Sequence, residues 1–412
     1  MWSSLPSPRQ VVWRVLKMWL VAVLGIVAGL MVTTKVRKVL RGHRAHGFPV
    51  TPPTVVATPR GEATTYTYGD DLFGDMIAAI EAAERRVFFE SFIVKSDAEG
   101  RRFKAALMDA AARGVDVYVV YDAFANLVVR RSFFDFGPRV RVLRYPVYNA
   151  GFRPFSLRHW GRDHRKILVV DDDVAFIGGY NVGSLYATSW RDTHLRLTGS
   201  AVWDLANAFI DFWNMLRPEE AIHGSGSTDW DPRVRMHRNI PRQLVFPIRN
   251  MYLEAIDRAT GHIMITAAYF IPDHDILEAL LQARVRGVKV DIIVPEVSNH
   301  VVTDWLSRGF YGRLLRAGVR IHRYKDHMVH AKTCTVDGQW TTVGTANIDR
   351  LSLSGNYEIN VEVVDAALAR HMEEVFARDL TNCAELTLLD WEERWIVSRA
   401  CELLLAPLRP LL

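Results

Sequence analysis

Hydrophobic runs of strand length occur twice along the chain in the same order. RRVFFESFIV (Arg85–Val94) and HIMITAAYFI (His262–Ile271) each read as a buried strand. Each precedes a helical segment that closes on Arg-Gly-Val, at Arg113-Gly114-Val115 and Arg286-Gly287-Val288. Glycine suits the left-handed position just past a helix, and arginine complements the negative helix end. Another strand opens from each glycine, VDVYVVYD and VKVDIIVP, and VRVLRY (Val140–Tyr145) and VRIHRY (Val319–Tyr324) come later. Strands alternating with helices in matched order predict an α/β layered architecture built from two similar halves, 63–217 and 246–385. Between them, 218–245 contains HGSGSTDWDPR and reads as a turn-rich connector.

The pattern changes at both ends. MWLVAVLGIVAGLMV (Met18–Val32) has no charge and no polar face, which favours a membrane helix over a soluble core helix. The run is slightly short of the ~20 residues of an ideal span, and Trp13, Arg14, Lys17 and Trp19 at headgroup level would complete the crossing. Thr33-Thr34-Lys35 follows in place of a small-x-small cleavage site, favouring an anchor over a secretory signal. Lys35, Arg37, Lys38, Arg41 and Arg44 outnumber the basic residues before the run, so the C-terminal side is expected in the cytoplasm. Residues 1–40 are thus expected to form a single-pass cell-membrane anchor with a basic flank. The Pro- and Thr-rich GFPVTPPTVVATPRG falls within 41–62, expected as an extended tether. In 386–412 polar positions fall all round a helical projection and Pro407 and Pro410 interrupt it; packing on the body and lying on a membrane both remain open.

Composition narrows this only a little. A chain of 412 residues that is 49% hydrophobic can fill the core of a large duplicated fold. A net charge of +5 suits an anionic partner, phospholipid or nucleic acid, without choosing between them. Cys334, Cys383 and Cys401 fit neither a zinc site nor a disulfide framework.

The chemistry lies in a repeated constellation. DHRKILVVDD (Asp163–Asp172) and VHAKTCTVDG (Val329–Gly338) place His164 and His330 in register. Lys follows at +2 (Lys166, Lys332), Asp at +7 (Asp171, Asp337), Gly at +14 (Gly178, Gly344), Asn at +17 (Asn181, Asn347) and an acid at +28 (Asp192, Glu358). One such pattern arises readily by chance, but six matched positions in two copies do not. In a strand, residues two apart share a face, so each His projects beside its Lys. Asp171 and Asp337 have the opposite parity and sit at turns, which suits bonding to backbone or a neighbouring side chain. The pairs Gly178-Gly179 and Gly344-Thr345 would let a ligand approach the backbone. Asn181 and Asn347 can donate to an anionic oxygen.

Two His, two Lys and two Asn suit a phosphodiester. Fixed donors stabilise the charge developing on a pentacoordinate phosphorus. One imidazole attacks phosphorus to give a phosphohistidine; the other protonates the leaving alcohol and then activates the incoming one. Asp192 and Glu358 are expected to bond the far nitrogen of each His and orient it. Neither half alone holds both a nucleophile and an acid, so the site belongs between the halves on a pseudo-twofold axis. Asp192 with His194, or His322 with His327 and His330, would be the candidates for a metal site. The paired lysines would repel a cation, and neither metal nor cofactor is expected. Asp273 and Asp275 read as helix caps, and Tyr269, Phe270 and Ile271 as core rather than acyl-chain contacts.

The repeated His-x-Lys-x4-Asp with its following Gly and Asn resembles the phospholipase D superfamily, over about Thr65–Leu380. FFESFIV, HRKILVVDDDVAFIGGYN, WRDTHLRLTG, AYFIP and HAKTCTVDGQWTTVGTANIDRLSLSGNYEINVEV are similar to the bacterial cardiolipin synthases within it. The resemblance implies two α/β/α sandwich halves, a metal-free mechanism and catalytic roles for His164, Lys166, Asp171, His330, Lys332 and Asp337, with the first His the nucleophile. It implies phosphatidyl transfer between two phosphatidylglycerol molecules with release of glycerol, at a membrane of anionic phospholipid that includes the cardiolipin product. No nucleic-acid partner is expected. The chain departs from the pattern in having Gly179 and Thr345 where many relatives have Ser, and one N-terminal span where many have two. Hydrolysis in the manner of a phospholipase D, nuclease activity, and non-catalytic phospholipid binding are the alternatives.

Overall fold

The computed structural model describes residues 8–41, 47–147 and 161–411. In the first half the strands are β1 (Thr54–Thr58), β2 (Gly61–Tyr66), β3 (Arg86–Ser91), β4 (Asp116–Asp122), β5 (Val140–Tyr145), β6 (Lys166–Val170), β7 (Val174–Gly178), β8 (Trp190–Arg191) and β9 (His194–Thr198). In the second they are β10 (Val234–Asn239), β11 (His262–Ala267), β12 (Lys289–Pro295), β13 (Arg320–Tyr324), β14 (Met328–Val329), β15 (Lys332–Val336), β16 (Trp340–Gly344), β17 (Glu358–Val364) and β18 (Cys383–Leu386). Two eight-stranded sheets result, ordered β1-β2-β9-β7-β6-β3-β4-β5 and β10-β17-β16-β15-β11-β12-β13-β18. Seven positions correspond one to one; the first sheet adds β1 at one edge and the second adds β18 at the other. The duplication seen in the sequence is therefore a duplication of topology.

In both halves β3, β4 and β5, or β11, β12 and β13, run parallel. The remaining pairings named in the two sheets are antiparallel. The hairpins β6–β7 and β15–β16 turn at Asp171-Asp172 and Asp337-Gly338, all with φ between 53° and 64°. A tight hairpin turn needs positive φ, which short polar side chains and glycine tolerate best.

Three large apolar clusters define the layers. One lies between the first sheet and the helices Gly69–Glu81 and Ala98–Ala112. A second lies between the second sheet and the helices Pro247–Arg258, His274–Val285 and Val301–Arg316. The third is shared: Ile177, Leu195 and Leu197 of the first half meet Val343, Ile359 and Val361 of the second, with the helix Val202–Leu216 packed against them. A short parallel pairing, Met328 with Trp190 and Val329 with Arg191, also joins the halves. Burial of the third cluster fixes the mutual placement of the two sheets, and hence of anything at their facing edges.

The domain limits differ from expectation at two places. Within the stretch read as a tether, Thr54–Thr58 forms the edge strand β1, and Thr51 and Val50 are bonded to Thr67 and Arg378. Pro52 and Pro53 sit just before this edge strand, where a missing N–H costs nothing. Arg44 and residues 42–46 of the expected tether lie outside the described residues. Within the stretch read as a connector, Val234–Asn239 forms β10 and pairs with β17 along its whole length. The alternating VRMHRN fits a half-buried edge strand, a signal the neighbouring turn residues obscure.

At the N-terminus a helix runs Pro8–Arg41, longer than the apolar run itself. The C-terminal segment forms helices at Leu388–Glu392 and Ile396–Leu405. Glu402 is buried between Arg308 (2.8 Å) and Arg394 (2.9 Å), which ties this tail to the body. The three cysteines are unpaired.

Candidate active site

β6 and β15 lie at matching positions in their sheets, and His164 and His330 stand two residues before Lys166 and Lys332 at the strand starts. Alternation does the local work. Arg165, between His164 and Lys166, points the other way and pairs with buried Glu90 at 2.5 Å. Both imidazoles reach the wall of one cavity of about 270 Å³, together with Asn181 and Asn347.

The orienting acids are crossed between the halves. His164 Nδ1 lies 2.9 Å from Glu358 of the second half, and His330 Nδ1 lies 2.6 Å from Asp192 of the first. Each imidazole is thus held by the opposite sheet. The pocketed glycine belongs to this device: a Cβ on Gly179 would sit 2.1 Å from the Asp192 carboxylate. At the matching position Thr345 Oγ1 donates to Glu358 at 2.5 Å. Gly179 and Thr345 serve the orienting carboxylates, Gly178 and Gly344 lie against Thr193 and Asn360, and none of the four lines the cavity, which corrects the expectation that they admit a ligand to the backbone.

The lysines share the histidine face but turn back beneath it. Lys166 Nζ donates to the His164 carbonyl at 2.7 Å. Lys332 Nζ donates to the His330 carbonyl and lies 3.0 Å from His330 Nδ1. Burial drives the Lys166 ammonium down to about 7 and the Lys332 ammonium to about 8, against the pull of Glu358 and Asp192. Burial and the same lysines push His330 to about 3 and His164 well below its ordinary value, which favours the neutral form of both imidazoles. Asp192 and Glu358 differ. Burial would raise both; Lys332 and His330 hold Asp192 below the usual range, while Glu358 rises to about 8.

Asp171 and Asp337 sit at the far ends of β6 and β15 and do not line the cavity. Asp171 accepts the backbone N–H groups of Glu84, Arg85 and Arg86 at 2.7–2.8 Å. Asp337 accepts those of Thr260, Gly261 and His262 at the same distances. This placement agrees with the backbone-bonding role read from strand parity and sets the two Asp apart from the His and Lys with which the resemblance groups them as catalytic: each ties a hairpin turn to the start of the neighbouring strand, β3 or β11. Although burial opposes ionisation, the three N–H groups hold each carboxyl below its ordinary value. The resulting stability is present above the unfolded carboxylate value and fades as pH falls through the folded one. Asp171→Ala is expected to destabilise the fold by roughly 2–3 kcal/mol, the scale of orphaned charge-assisted bonds. Turnover per folded molecule should stay near wild type, as read by urea denaturation beside an activity assay.

Other residues of the cavity carried no clear signal in sequence. β3 and β11 end at Ser91 and Ala267, earlier than the apolar runs suggest, and the chain beyond them turns into the wall with Phe92, Ile93, Tyr269 and Ile271. Of the three residues expected in the core, Phe270 and Ile271 are buried in apolar clusters, Ile271 touching the wall as well, whereas Tyr269 is half-buried and lines it. Asn299, His300 and Thr303 come from the loop and helix after β12, where no repeat partner marked them. Asp349, raised by burial to about 7, also lines the wall and caps Ser352 at 2.7 Å. Asn181 Oδ1 accepts from Ile93 N at 3.1 Å. Of the residues considered for a metal, His322 bonds Asp291 at 2.7 Å and His327 approaches the Ser189 carbonyl at 3.2 Å. Asp273 caps its helix as expected, accepting from Ile276 N.

Two homologous α/β halves whose paired His converge on one cavity, each with a Lys beneath it, define a phospholipase D-like protein. A family model described as cardiolipin synthase, PLD-like domain, matches residues 76–213 and 252–380. A cardiolipin synthase of Clostridium perfringens is 32% identical, over 86% of this chain and 78% of its own length. The major cardiolipin synthase of Bacillus subtilis is likewise 32% identical, over 86% of this chain and 76% of its own. Among solved structures, phosphatidylserine synthase of Haemophilus influenzae superposes with a TM-score of 0.66 at 15% identity, covering 87% of this chain and 95% of that one, a likeness of fold. The chain belongs to the cardiolipin synthase family of phospholipase D-like proteins.

Proposed function

We propose that the chain is a cardiolipin synthase that transfers a phosphatidyl group from one phosphatidylglycerol to another. The crossed pairing of His164 with Glu358 and His330 with Asp192 at one cavity is the observation that carries this reading. One imidazole attacks the donor phosphorus, forming a P–N bond, while the other gives its proton to the departing glycerol. The second imidazole then takes the proton of the acceptor hydroxyl, whose oxygen displaces the histidine to yield cardiolipin. Asn181 and Asn347 bond the non-bridging oxygens, and the charges of Lys166 and Lys332 act on phosphorus from beneath the imidazoles. The aromatic and aliphatic wall of Phe92, Trp190, Tyr269 and Ile271 holds the lipid and limits water.

Incubation with phosphatidylglycerol vesicles, read by mass spectrometry, should give cardiolipin and glycerol. Phosphatidic acid as the sole product would mean hydrolysis instead, and cleavage of an added oligonucleotide would mean nuclease activity.

Both imidazoles favour the neutral form, so the acidic one gains its proton when the phosphodiester anion offsets the lysine charges. The lysines set the alkaline limb. Affinity for an anion requires their protonated forms, so kcat/KM should fall as pH rises through about 7 to 8. At saturating lipid the bound anion raises both ammonium groups, and the limb in kcat should move to higher pH. A kcat/KM unchanged from about pH 6 to 9 would contradict this role for the lysines.

The helix Pro8–Arg41 includes one stretch, Arg9–Thr33, apolar and long enough to cross a bilayer. We assign the protein to the cell membrane as a single-pass protein with its catalytic halves on the cytoplasmic side. A reporter fused to the C-terminus tests the side.

A further inference from the structure

The N-terminal helix does not stand clear of the catalytic halves. Trp19, Val23, Ile26, Val27 and Leu30, spaced as one helical stripe, pack against Ile271, Leu306 and Leu405. Trp19 Nε1 also donates to the Leu404 carbonyl at 3.3 Å. Ile271 belongs to both this cluster and the cavity wall, so the helix abuts the wall itself. A helix docked on a protein in water turns a polar face outward. Here the outward face stays apolar, with Val21 70% and Leu24 60% exposed. Only lipid covers such a face at low cost. The docked stripe runs from Trp19 to Leu30 and centres near Leu24, about 10 Å from Lys17 and about 17 Å from Lys35 along the axis at 1.5 Å per residue. The contact with the cavity wall therefore falls at the middle of the apolar run and not at its end.

The rim of the cavity continues this surface. Leu185 and Leu351 stand at the same offset from the two histidines and are 51% and 44% exposed. Leu351 lines the cavity, and Leu185 adjoins Tyr186, which also lines it. Leu127 and Val128 lie exposed on the loop after β4, whose Asn126 bonds the Phe92 carbonyl at 2.8 Å. In the C-terminal helix, whose Leu404 and Leu405 contact the docked helix, Ile396 and Leu403 are exposed as well. Both halves thus surround a polar-floored cavity with an apolar collar.

We propose that the docked helix, the C-terminal helix and this collar form one surface immersed in the bilayer, so that the cavity opens into the acyl-chain region. Phospholipids then enter sideways, with chains remaining in lipid while the phosphodiester reaches the histidines. The surface stands on geometry alone; that its visitors are phosphatidyl donors and acceptors rests on the reading above.

Spin labels on the full chain in phosphatidylglycerol proteoliposomes test the immersion. Single cysteines replace Val128, Leu185 or Ile396, with one at the exposed connector residue Trp230 for comparison, in a Cys383→Ser background. The first three should be accessible to oxygen and shielded from a water-soluble nickel chelate, and the Trp230 position the reverse. Chelate access at all three equal to that at 230 overturns the proposal. Shielding that persists in detergent and scales with protein concentration also overturns it, because a second copy of the chain would then be the cover. The double variant Val128→Glu, Leu185→Glu should raise KM for vesicular lipid about tenfold or more, the scale of placing charge in a bilayer. Turnover of the same lipid in mixed detergent micelles should stay within about twofold, given that scale. Equal losses in both would rule out sideways entry. Should no phosphatidyl transfer be detected in any format, the labels still decide whether the surface lies in lipid.

Discussion

His164→Ala and His330→Ala are each expected to abolish phosphatidyl transfer, with losses on the order of 10⁴-fold or more. The two imidazoles come from different halves but face one cavity of about 270 Å³. One must form the P–N bond and the other must carry the proton, so neither can stand in for its partner. Duplicated proteins often tolerate loss of one copy; this one should not. The measurement is cardiolipin formed per minute from phosphatidylglycerol vesicles by variants whose unfolding transitions match wild type. If either variant kept a tenth of the activity, two independent sites would be indicated and the shared-cavity reading would fail.

The orienting acids give the second large effect, and it should be unequal. Asp192 is held ionised by Lys332 and His330 and accepts from His330 Nδ1 at 2.6 Å. Asn at this position offers an N–H where an acceptor is needed and turns the imidazole to the wrong tautomer. In other triads this change costs up to about 10⁴-fold in kcat, and a loss of about 10²–10⁴ is expected here. Glu358 is pushed the other way, up to about 8, by burial, and so carries less charge near neutral pH than Asp192. Glu358→Gln removes less charge and should cost less, roughly 10–10²-fold by the same comparison. Both losses should appear in kcat with KM for lipid little altered, because neither acid lines the cavity. A larger fall in Glu358→Gln than in Asp192→Asn would reverse the assignment of the ionised partner.

Much of this site was legible along the chain, and the reasons are local. Offsets repeated in two copies pick out His164 and His330 without any coordinates. Strand alternation places Lys166 beside His164 and turns Asp171 out of that row, and Asp171 indeed bonds the backbone of residues 84–86. Other features had no local signature. Tyr269 has the apolarity of a core residue, and only the early end of β11 turns it into the cavity wall. The VRMHRN of β10 sits among turn residues, and its strand state depends on β17 offering an open edge.

By itself the sequence determined the doubled α/β order, the histidine–lysine faces and the apolar N-terminal helix. Those follow from side-chain periodicity and backbone geometry, which act over a few residues. Only the tertiary structure decided that the acids cross over, pairing His164 with a residue 194 positions away and Asp192 with one 138 away. It likewise decided that the lysines turn beneath the imidazoles and that the N-terminal helix lies against the cavity wall. Such contacts are set by how the buried faces of the two sheets pack together, an apolar fit that has no period along the chain.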